Sequence, residues 1–174
     1  MIFAVVGPSG AGKDTLIAGA MAQRPDLRLV RRVITRPTEA SGEDFEGVST
    51  QEFQLRRERG EFALHWEAHG LSYGIPKAHV DGPGDVIFNG SRAALPLALQ
   101  VFPALRVILV TAPDAVLAGR IQGRGRESDG DIAARLDRAG FALPDGVAAS
   151  VVMNDGSVAE GVERLLAALQ PISA

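Results

Sequence analysis

A glycine-rich stretch close to the amino terminus has the residue types and spacing of a phosphate-binding loop. Its residues are Gly7, Pro8, Ser9, Gly10, Ala11, Gly12, Lys13, Asp14 and Thr15. They match seven of the eight positions of the pattern G-x-x-x-x-G-K-[ST]. Glycines let the loop turn sharply and bring backbone N–H groups close to phosphate oxygens, and Lys13 adds a mobile positive charge. A turn that only connects two elements is the alternative, but this spacing favours phosphate binding.

Asp14 occupies the position where the pattern has Ser or Thr. In the usual loop that hydroxyl is a ligand of Mg2+. Asp14 could bind the ion directly or through a water, or Thr15 could take this role, and the sequence leaves these alternatives open. An acidic residue also suits the first turn of a helix, because the helix dipole favours negative charge there.

The loop lies between a short apolar run, Ile2 to Val6, and a helix-compatible segment, Lys13 to Ala22. This order would place the phosphate at the amino end of a helix. Further strands are predicted at 27–34, 62–68, 85–88, 106–111 and 147–153. A helix at 50–59 is predicted from a capping box formed by Ser49 and Glu52, and further helices are predicted after Asn89–Arg92 to about 101, at 131–139 and at 158–169. Alternating strands and helices predict an α/β fold, with a parallel sheet between two layers of helices.

Composition limits the classes of protein that the chain could represent. Its 174 residues suit one domain, and the absence of cysteine excludes disulfides, thiolate catalysis and cysteine-ligated metals. No apolar run approaches the roughly 20 residues of a membrane span. The net charge of −3 argues against bulk binding of nucleic acid. We therefore expect a cytoplasmic enzyme without a nucleic-acid or membrane partner, and a homodimer is left open.

Several further motifs, together with the loop, resemble those of guanylate-kinase-type phosphotransferases over the whole chain. They are the TR pair at 35–36, GEF at 60–62, HG and YG at 69–74, RGR at 124–126 and ND at 154–155. Finer features are more similar to the ribose 1,5-bisphosphate phosphokinases of bacterial phosphonate degradation. These features are GPSGAGKD at 7–14, ITR at 34–36, GLSYG at 70–74, NGSRAALP at 89–96, RGRE at 124–127 and NDGS at 154–157.

The resemblance implies a three-layer P-loop kinase fold in a single domain, residues 1–174. The core would comprise residues 1–35 and 81–174, an acceptor-binding insertion about 36–80, and an arginine-bearing lid about 120–135. The implied reaction is phosphorylation of ribose 1,5-bisphosphate by ATP, which gives 5-phosphoribosyl 1-diphosphate and ADP. ATP and Mg2+ are the implied cofactors, and the substrates are small molecules.

The resemblance also implies roles for individual residues. Residues 7–15 would bind ATP, with Asp14 or Thr15 near the metal, and Asn154 and Asp155 would lie on the adenine side. Lys13 and the lid arginines, Arg120, Arg124 and Arg126, would act on the transferred phosphoryl group. The acceptor would be bound by Arg32, Arg36, Tyr73 and Asn89.

Departures from guanylate kinase itself concern the recognition of guanine. Arg32, Leu64 and Ile75 correspond to the positions at which that family has base-reading polar residues, and Asn89 and Phe45 replace its aspartate and tyrosine. A leucine cannot hydrogen-bond to a guanine edge, so the pattern favours a sugar phosphate without a base. The alternatives are a nucleoside monophosphate kinase and an inactive guanylate-kinase-like module that binds a protein partner.

Overall fold

The structure is a computed structural model, and it describes residues 1–37, 44–123 and 142–171. The chain forms two compact units. The first contains Met1–Ala4 and Pro25–Arg106, and the second contains Val5–Arg24 and Val107–Ala174. The predicted acceptor-binding insertion, 36–80, lies in the first unit, and the glycine-rich loop lies in the second.

The described residues contain strands and helices that alternate for most of the chain. The strands are β1 (Ile2–Val6), β2 (Arg28–Leu29), β3 (Val33–Ile34), β4 (Glu46–Gly47), β5 (Phe62–Ala68), β6 (Leu71–Pro76), β7 (Val86–Asn89), β8 (Arg106–Thr111) and β9 (Ala149–Met153). The helices are α1 (Lys13–Gln23), α2 (Thr50–Glu58), α3 (Lys77–Val80), α4 (Leu95–Val101), α5 (Asp114–Gly123) and α6 (Val158–Ala168), and a 3-10 turn at Arg92–Ala94 precedes α4.

One sheet of the described residues has the strand order β2-β7-β1-β8-β9. Strand β2 pairs with β7, and β8 pairs with β9, in parallel. The central strand β1 is buried from Phe3 to Val6, as expected for an apolar strand that is covered on both faces. The predicted α/β fold with a parallel sheet is confirmed.

The single strand predicted at 27–34 is wrong, because the chain changes sheets within it. Val30 still donates a backbone hydrogen bond to Ile87 of β7, at 3.0 Å. Two residues later, the Arg32 carbonyl accepts from Glu46 N at 2.8 Å, and β3 then pairs with β4 and β6. Apolar residues lie on both sides of the crossing, at Val30 and Val33, and the two arginines between them did not indicate a change of sheet.

The second sheet lies within the first unit and has the order β4-β3-β6-β5. Strands β5 and β6 form an antiparallel hairpin whose turn is His69-Gly70, with positive φ angles of 54° and 75°. One face packs on α2 through Val33, Phe53 and Phe62. The predicted capping box of α2 is confirmed, because the Ser49 hydroxyl accepts from Glu52 N at 3.1 Å.

The predicted helix at 131–139 and most of the predicted lid, including Arg124 and Arg126, lie outside the described residues. Within the described part of the chain, no helix has both the length and the apolar character needed to span a membrane.

Candidate active site

The glycine-rich loop connects β1 to α1 in the second unit. A Cβ atom on Gly7 would lie 2.0 Å from the Val110 carbonyl oxygen, so only glycine fits beside β8. Gly10 and Gly12 have φ angles of 83° and 87°, which are strained for residues with a side chain. Gly12 is the N-cap of α1, so the helix begins where the loop ends. The loop therefore has the backbone geometry that a phosphate-binding loop requires.

Lys13 is the first residue of α1, and its side chain turns back over the loop. Its ammonium nitrogen donates a hydrogen bond to the Gly7 carbonyl at 2.8 Å. A lysine in this position places one positive charge at the amino end of a helix, where the dipole also favours anions. Both features suit a polyphosphate.

Asp14 and Thr15 occupy the first turn of α1, and both are exposed. Their carboxylate and hydroxyl oxygens are the type of donor that Mg2+ prefers. Among the described residues, no group of three or more His, Cys, Asp or Glu side chains could hold a metal. A magnesium ion that keeps water and phosphate ligands needs only one or two protein oxygens, and Asp14 and Thr15 can supply them.

Arg120 extends from α5 to the back of the loop. Its guanidinium donates to the carbonyl oxygens of Gly10, at 3.0 Å, and Ala11, at 3.4 Å. It also donates to the carbonyl oxygen of Asn154, at 2.6 Å. The structure therefore places this residue of the predicted lid against the backbone of the phosphate loop.

Asn154 follows β9 and is 6% exposed. Its side-chain amide donates to the Ala11 carbonyl at 2.7 Å, so it also lies against the loop. Its neighbour Asp155 is exposed and forms an ion pair with Arg164 of α6, at 3.1 Å. The adenine-side role of both residues stays a prediction.

In the first unit, Arg32 is 7% exposed and lies over the ring of Tyr73, 5.3 Å from its centroid. Tyr73 is paired with Trp66 across the β5–β6 hairpin, and their rings stack with centroids 5.3 Å apart. Trp66 and the β3 residue Ile34 are the register partners of Tyr73 on its two sides. Trp66 therefore approaches Tyr73 from β5, and Arg32 approaches it from the opposite side of β6, just before β3 begins.

Arg36 follows β3 and lies over the ring of Phe45, 4.4 Å from its centroid. The preceding residue, Thr35, fixes this part of the chain to β6, because its hydroxyl oxygen accepts from Ser72 N at 2.9 Å. A guanidinium over an aromatic face is stabilised there and can still donate hydrogen bonds in its own plane. Arg32 and Arg36 are two such cations in the same unit.

Asn89, the remaining residue predicted to bind the acceptor, is half-buried at the carboxyl end of β7. Leu64 and Ile75, which the resemblance assigns to the base-reading positions of guanylate kinases, are register partners and are 1% and 0% exposed. Neither side chain has a polar group, so neither side chain can hydrogen-bond to a base.

Sequence reasoning did not predict the contacts of Phe45 and Trp66 with Arg36 and Tyr73. Alternation along β5 places Leu64 and Trp66 on one face, but the partner of Trp66 depends on the hairpin register. The contacts of Arg120 and Asn154 with the loop were also not predicted.

The fold of the chain is similar to that of a solved guanylate kinase. The guanylate kinase of Anaplasma phagocytophilum superposes with a TM-score of 0.64 at 18% identity, over 95% of this chain and 81% of that chain. No family model matches the chain. The fold and the phosphate loop together place the chain in the class of guanylate-kinase-like P-loop folds.

Two curated relatives identify the family within this class. The ribose 1,5-bisphosphate phosphokinase PhnN of Ruegeria sp. is 48% identical over 173 residues, which cover 97% of this chain and 91% of the relative. The protein of the same name from Agrobacterium fabrum is 44% identical over 172 residues, which cover 95% and 94%. The chain belongs to the ribose 1,5-bisphosphate phosphokinase family, and the resemblance stated from its motifs is confirmed.

Proposed function

We propose that the protein transfers the γ-phosphoryl group of ATP to ribose 1,5-bisphosphate and forms 5-phosphoribosyl 1-diphosphate and ADP, as a step of phosphonate degradation. The observation that carries this proposal is the 48% identity to a ribose 1,5-bisphosphate phosphokinase over 97% of the chain. The phosphate loop at Gly7–Thr15 and the absence of polar groups at Leu64 and Ile75 support it.

In this reaction an oxygen of the acceptor's 1-phosphate attacks the γ-phosphorus of ATP. The bond between that phosphorus and the β–γ bridging oxygen breaks, and ADP leaves with the bond's electron pair. The attacking oxygen already carries negative charge, so no strong base has to remove a proton first. The protein's contribution is alignment of the reactants and neutralisation of charge.

On the nucleotide side, residues 7–15 would bind the β- and γ-phosphates through backbone N–H groups at the start of α1. Lys13 would exchange its hydrogen bond with the Gly7 carbonyl for one with a phosphate oxygen. Asp14 or Thr15 would hold Mg2+, which when bound neutralises charge on the phosphates. Arg124 and Arg126 would close over the transferred group, and Asn154 and Asp155 would lie near adenine.

On the acceptor side, Arg32 and Arg36 would bind the phosphate groups of ribose 1,5-bisphosphate. Arginine suits this task because its planar group can donate two parallel hydrogen bonds to a phosphate. The Tyr73 hydroxyl would donate a further hydrogen bond, and Asn89 would contact the sugar phosphate from the end of β7. The Arg32 guanidinium lies 5.3 Å from the centroid of the Tyr73 ring, and the Arg36 guanidinium lies 4.4 Å from the centroid of the Phe45 ring, so both cations lie next to aromatic faces.

The experiment that tests this function is a coupled assay of ADP release with purified protein, ATP and magnesium. Ribose 1,5-bisphosphate, GMP, AMP and ribose 5-phosphate are compared at equal concentrations, with Lys13→Ala as the inactive control. We expect turnover with ribose 1,5-bisphosphate alone, and phosphorus NMR should show a new diphosphate on the sugar. Efficient turnover of GMP would instead identify a nucleotide kinase, and no turnover with any acceptor would favour a binding module.

A further inference from the structure

Arg120 and Asn154 contact the same part of the phosphate loop from outside. Between them they donate hydrogen bonds to the carbonyl oxygens of Gly10 and Ala11, and the Ala11 oxygen accepts from both side chains. Arg120 also donates to the Asn154 carbonyl, which fixes the two residues to each other. We propose that Arg120 and Asn154, here called the loop brace, are positioning residues that set the orientation of the Ala11–Gly12 peptide for binding of the ATP phosphates.

The geometry of a peptide bond explains how such a brace would act. The described part of the chain contains no cis peptide bond, so the carbonyl and N–H of each peptide unit point in opposite directions. When two donors hold the Ala11 carbonyl outward, the Gly12 N–H on the same peptide points to the opposite side. A phosphate-binding loop depends on N–H groups that are directed inward before the ligand arrives.

Asn154 is itself held from several sides, so it can fix the loop. Its backbone N–H donates to the Thr111 carbonyl at 2.7 Å, at the end of β8. On the side of α6, a Cβ on Gly161 would lie 2.5 Å from the Asn154 side-chain oxygen. On the side of the loop, a Cβ on Gly12 would lie 2.6 Å from its side-chain nitrogen. Gly12 and Gly161 therefore leave just enough space for the amide between them.

As part of the loop brace, Arg120 would have a different role from that of a lid arginine. A lid arginine acts on the transferred phosphoryl group, and its loss lowers kcat. A brace acts through the loop on the affinity for nucleotide. The fork of the guanidinium is needed for this, because its two terminal nitrogens donate to carbonyls of two separate loops. A lysine has the charge but cannot span both loops.

The test measures binding of magnesium and a slowly hydrolysed ATP analogue by calorimetry, without any acceptor. The variants are Arg120→Ala, Arg120→Lys, Asn154→Ala and the double alanine variant, with Arg57→Ala of the exposed face of α2 as a charge-matched control. We expect Arg120→Ala to raise the Kd about 10- to 100-fold, as for lost hydrogen bonds from a charged donor. Arg120→Lys should resemble Arg120→Ala, Asn154→Ala should also raise the Kd, and Arg57→Ala should not.

The double variant gives the sharpest result. Both side chains act on the Ala11 carbonyl, so their effects should not multiply. The Kd of the double variant should be close to that of the single variant that binds the analogue more weakly. In turnover assays the KM for ATP should rise while the KM for the acceptor stays constant. Circular dichroism and thermal unfolding of each variant separate a changed loop from a lost fold, and Arg120→Lys retains the test if an alanine variant does not fold.

A Kd for the analogue that stays within about twofold in Arg120→Ala and Arg120→Lys would overturn the proposal, as would a loss confined to kcat. The inference rests on the proposed function for its nucleotide, but the binding measurement needs no acceptor. If no acceptor is turned over and the variants still lose nucleotide, the proposed reaction fails and the brace stands.

Discussion

Trp66 and Tyr73, the only tryptophan and the only tyrosine of the chain, stack with ring centroids 5.3 Å apart and planes 4° from parallel. Arg32 lies over the same tyrosine, 5.3 Å from its centroid. The indole nitrogen of Trp66 is buried and has no hydrogen-bond partner among the described residues. The fluorescence of this one indole therefore reports on the surroundings of a residue that we assign to the acceptor.

The first prediction uses this fluorescence. Titration with ribose 1,5-bisphosphate should change the Trp66 emission and saturate, because a phosphate on Arg32 alters the charge next to the stacked rings. Arg32→Ala should remove the response, and ribose without phosphate should not produce it. An unchanged response in Arg32→Ala would show that the phosphates bind elsewhere.

The second prediction concerns the hydroxyl of Tyr73. Tyr73→Phe retains the ring and its stacking on Trp66 but removes the hydrogen-bond donor that we assign to an acceptor phosphate. The KM for the acceptor should rise about 10- to 100-fold, as for one hydrogen bond to a charged group, with little change in the KM for ATP. Tyr73→Leu is the variant for comparison, because it removes the stacking on Trp66 as well as the hydroxyl. It should lower the free energy of unfolding by about 1 kcal/mol. Equal acceptor KM values for Tyr73→Phe and the native protein would remove Tyr73 from the site.

Features of the site formed by residues close together in the sequence could be predicted, and contacts between distant residues could not. The phosphate loop is local, since every residue from Gly7 to Thr15 lies in one stretch, and its pattern predicted the loop between β1 and α1. The Ser49 cap of α2 is equally local, and it was predicted correctly. By contrast, the side chain of Asn154 reaches Ala11 from 143 residues away, and no local pattern indicates that contact.

The register of the strands and the change of sheets could not be predicted from the sequence either. The stacking of Trp66 on Tyr73 depends on the pairing of β5 with β6, and a slip of one residue would separate the rings. The chain's transfer from β7 to β4 and β6 occurs between Val30 and Arg32, inside a run that reads as one strand. Sequence spacing alone contains neither the register nor the partner strand.

The third prediction tests the packing of the second sheet. A Cβ on Gly74 would lie 2.6 to 2.9 Å from three atoms of the Phe62 ring, which itself stacks on Phe53. Gly74→Ala should therefore reduce the free energy of unfolding by about 1–3 kcal/mol, the usual cost of overpacking. Gly119→Ala in α5 is the matched control, because no atom of the described residues lies within 4 Å of its Cβ position. That variant should be neutral or more stable by up to about 1 kcal/mol, as helix propensity predicts.

Thermal and denaturant unfolding of the two variants measure this difference. For a chain of this size, 1 kcal/mol corresponds to a shift in Tm of about 2–4 °C. A Gly74→Ala protein as stable as Gly119→Ala would mean that the Phe62 ring can move away at no cost.

The last prediction separates stability from nucleotide binding at the contact between α1 and α6. Two glycines allow these helices to approach: a Cβ on Gly19 would lie 2.4 Å from a Val162 methyl group, and a Cβ on Gly161 would lie 2.7 Å from a Leu16 methyl group. Both alanine variants should lose stability, by about 1–3 kcal/mol each, and both gain the same helix propensity. Of these two glycines, only Gly161 also lies next to Asn154, because its Cβ would be 2.5 Å from the Asn154 side-chain oxygen. Gly161→Ala should therefore weaken ATP binding beyond any effect of Gly19→Ala, as calorimetry at a temperature where both variants are folded would show. Equal nucleotide affinities in the two variants would mean that Asn154 does not set the loop.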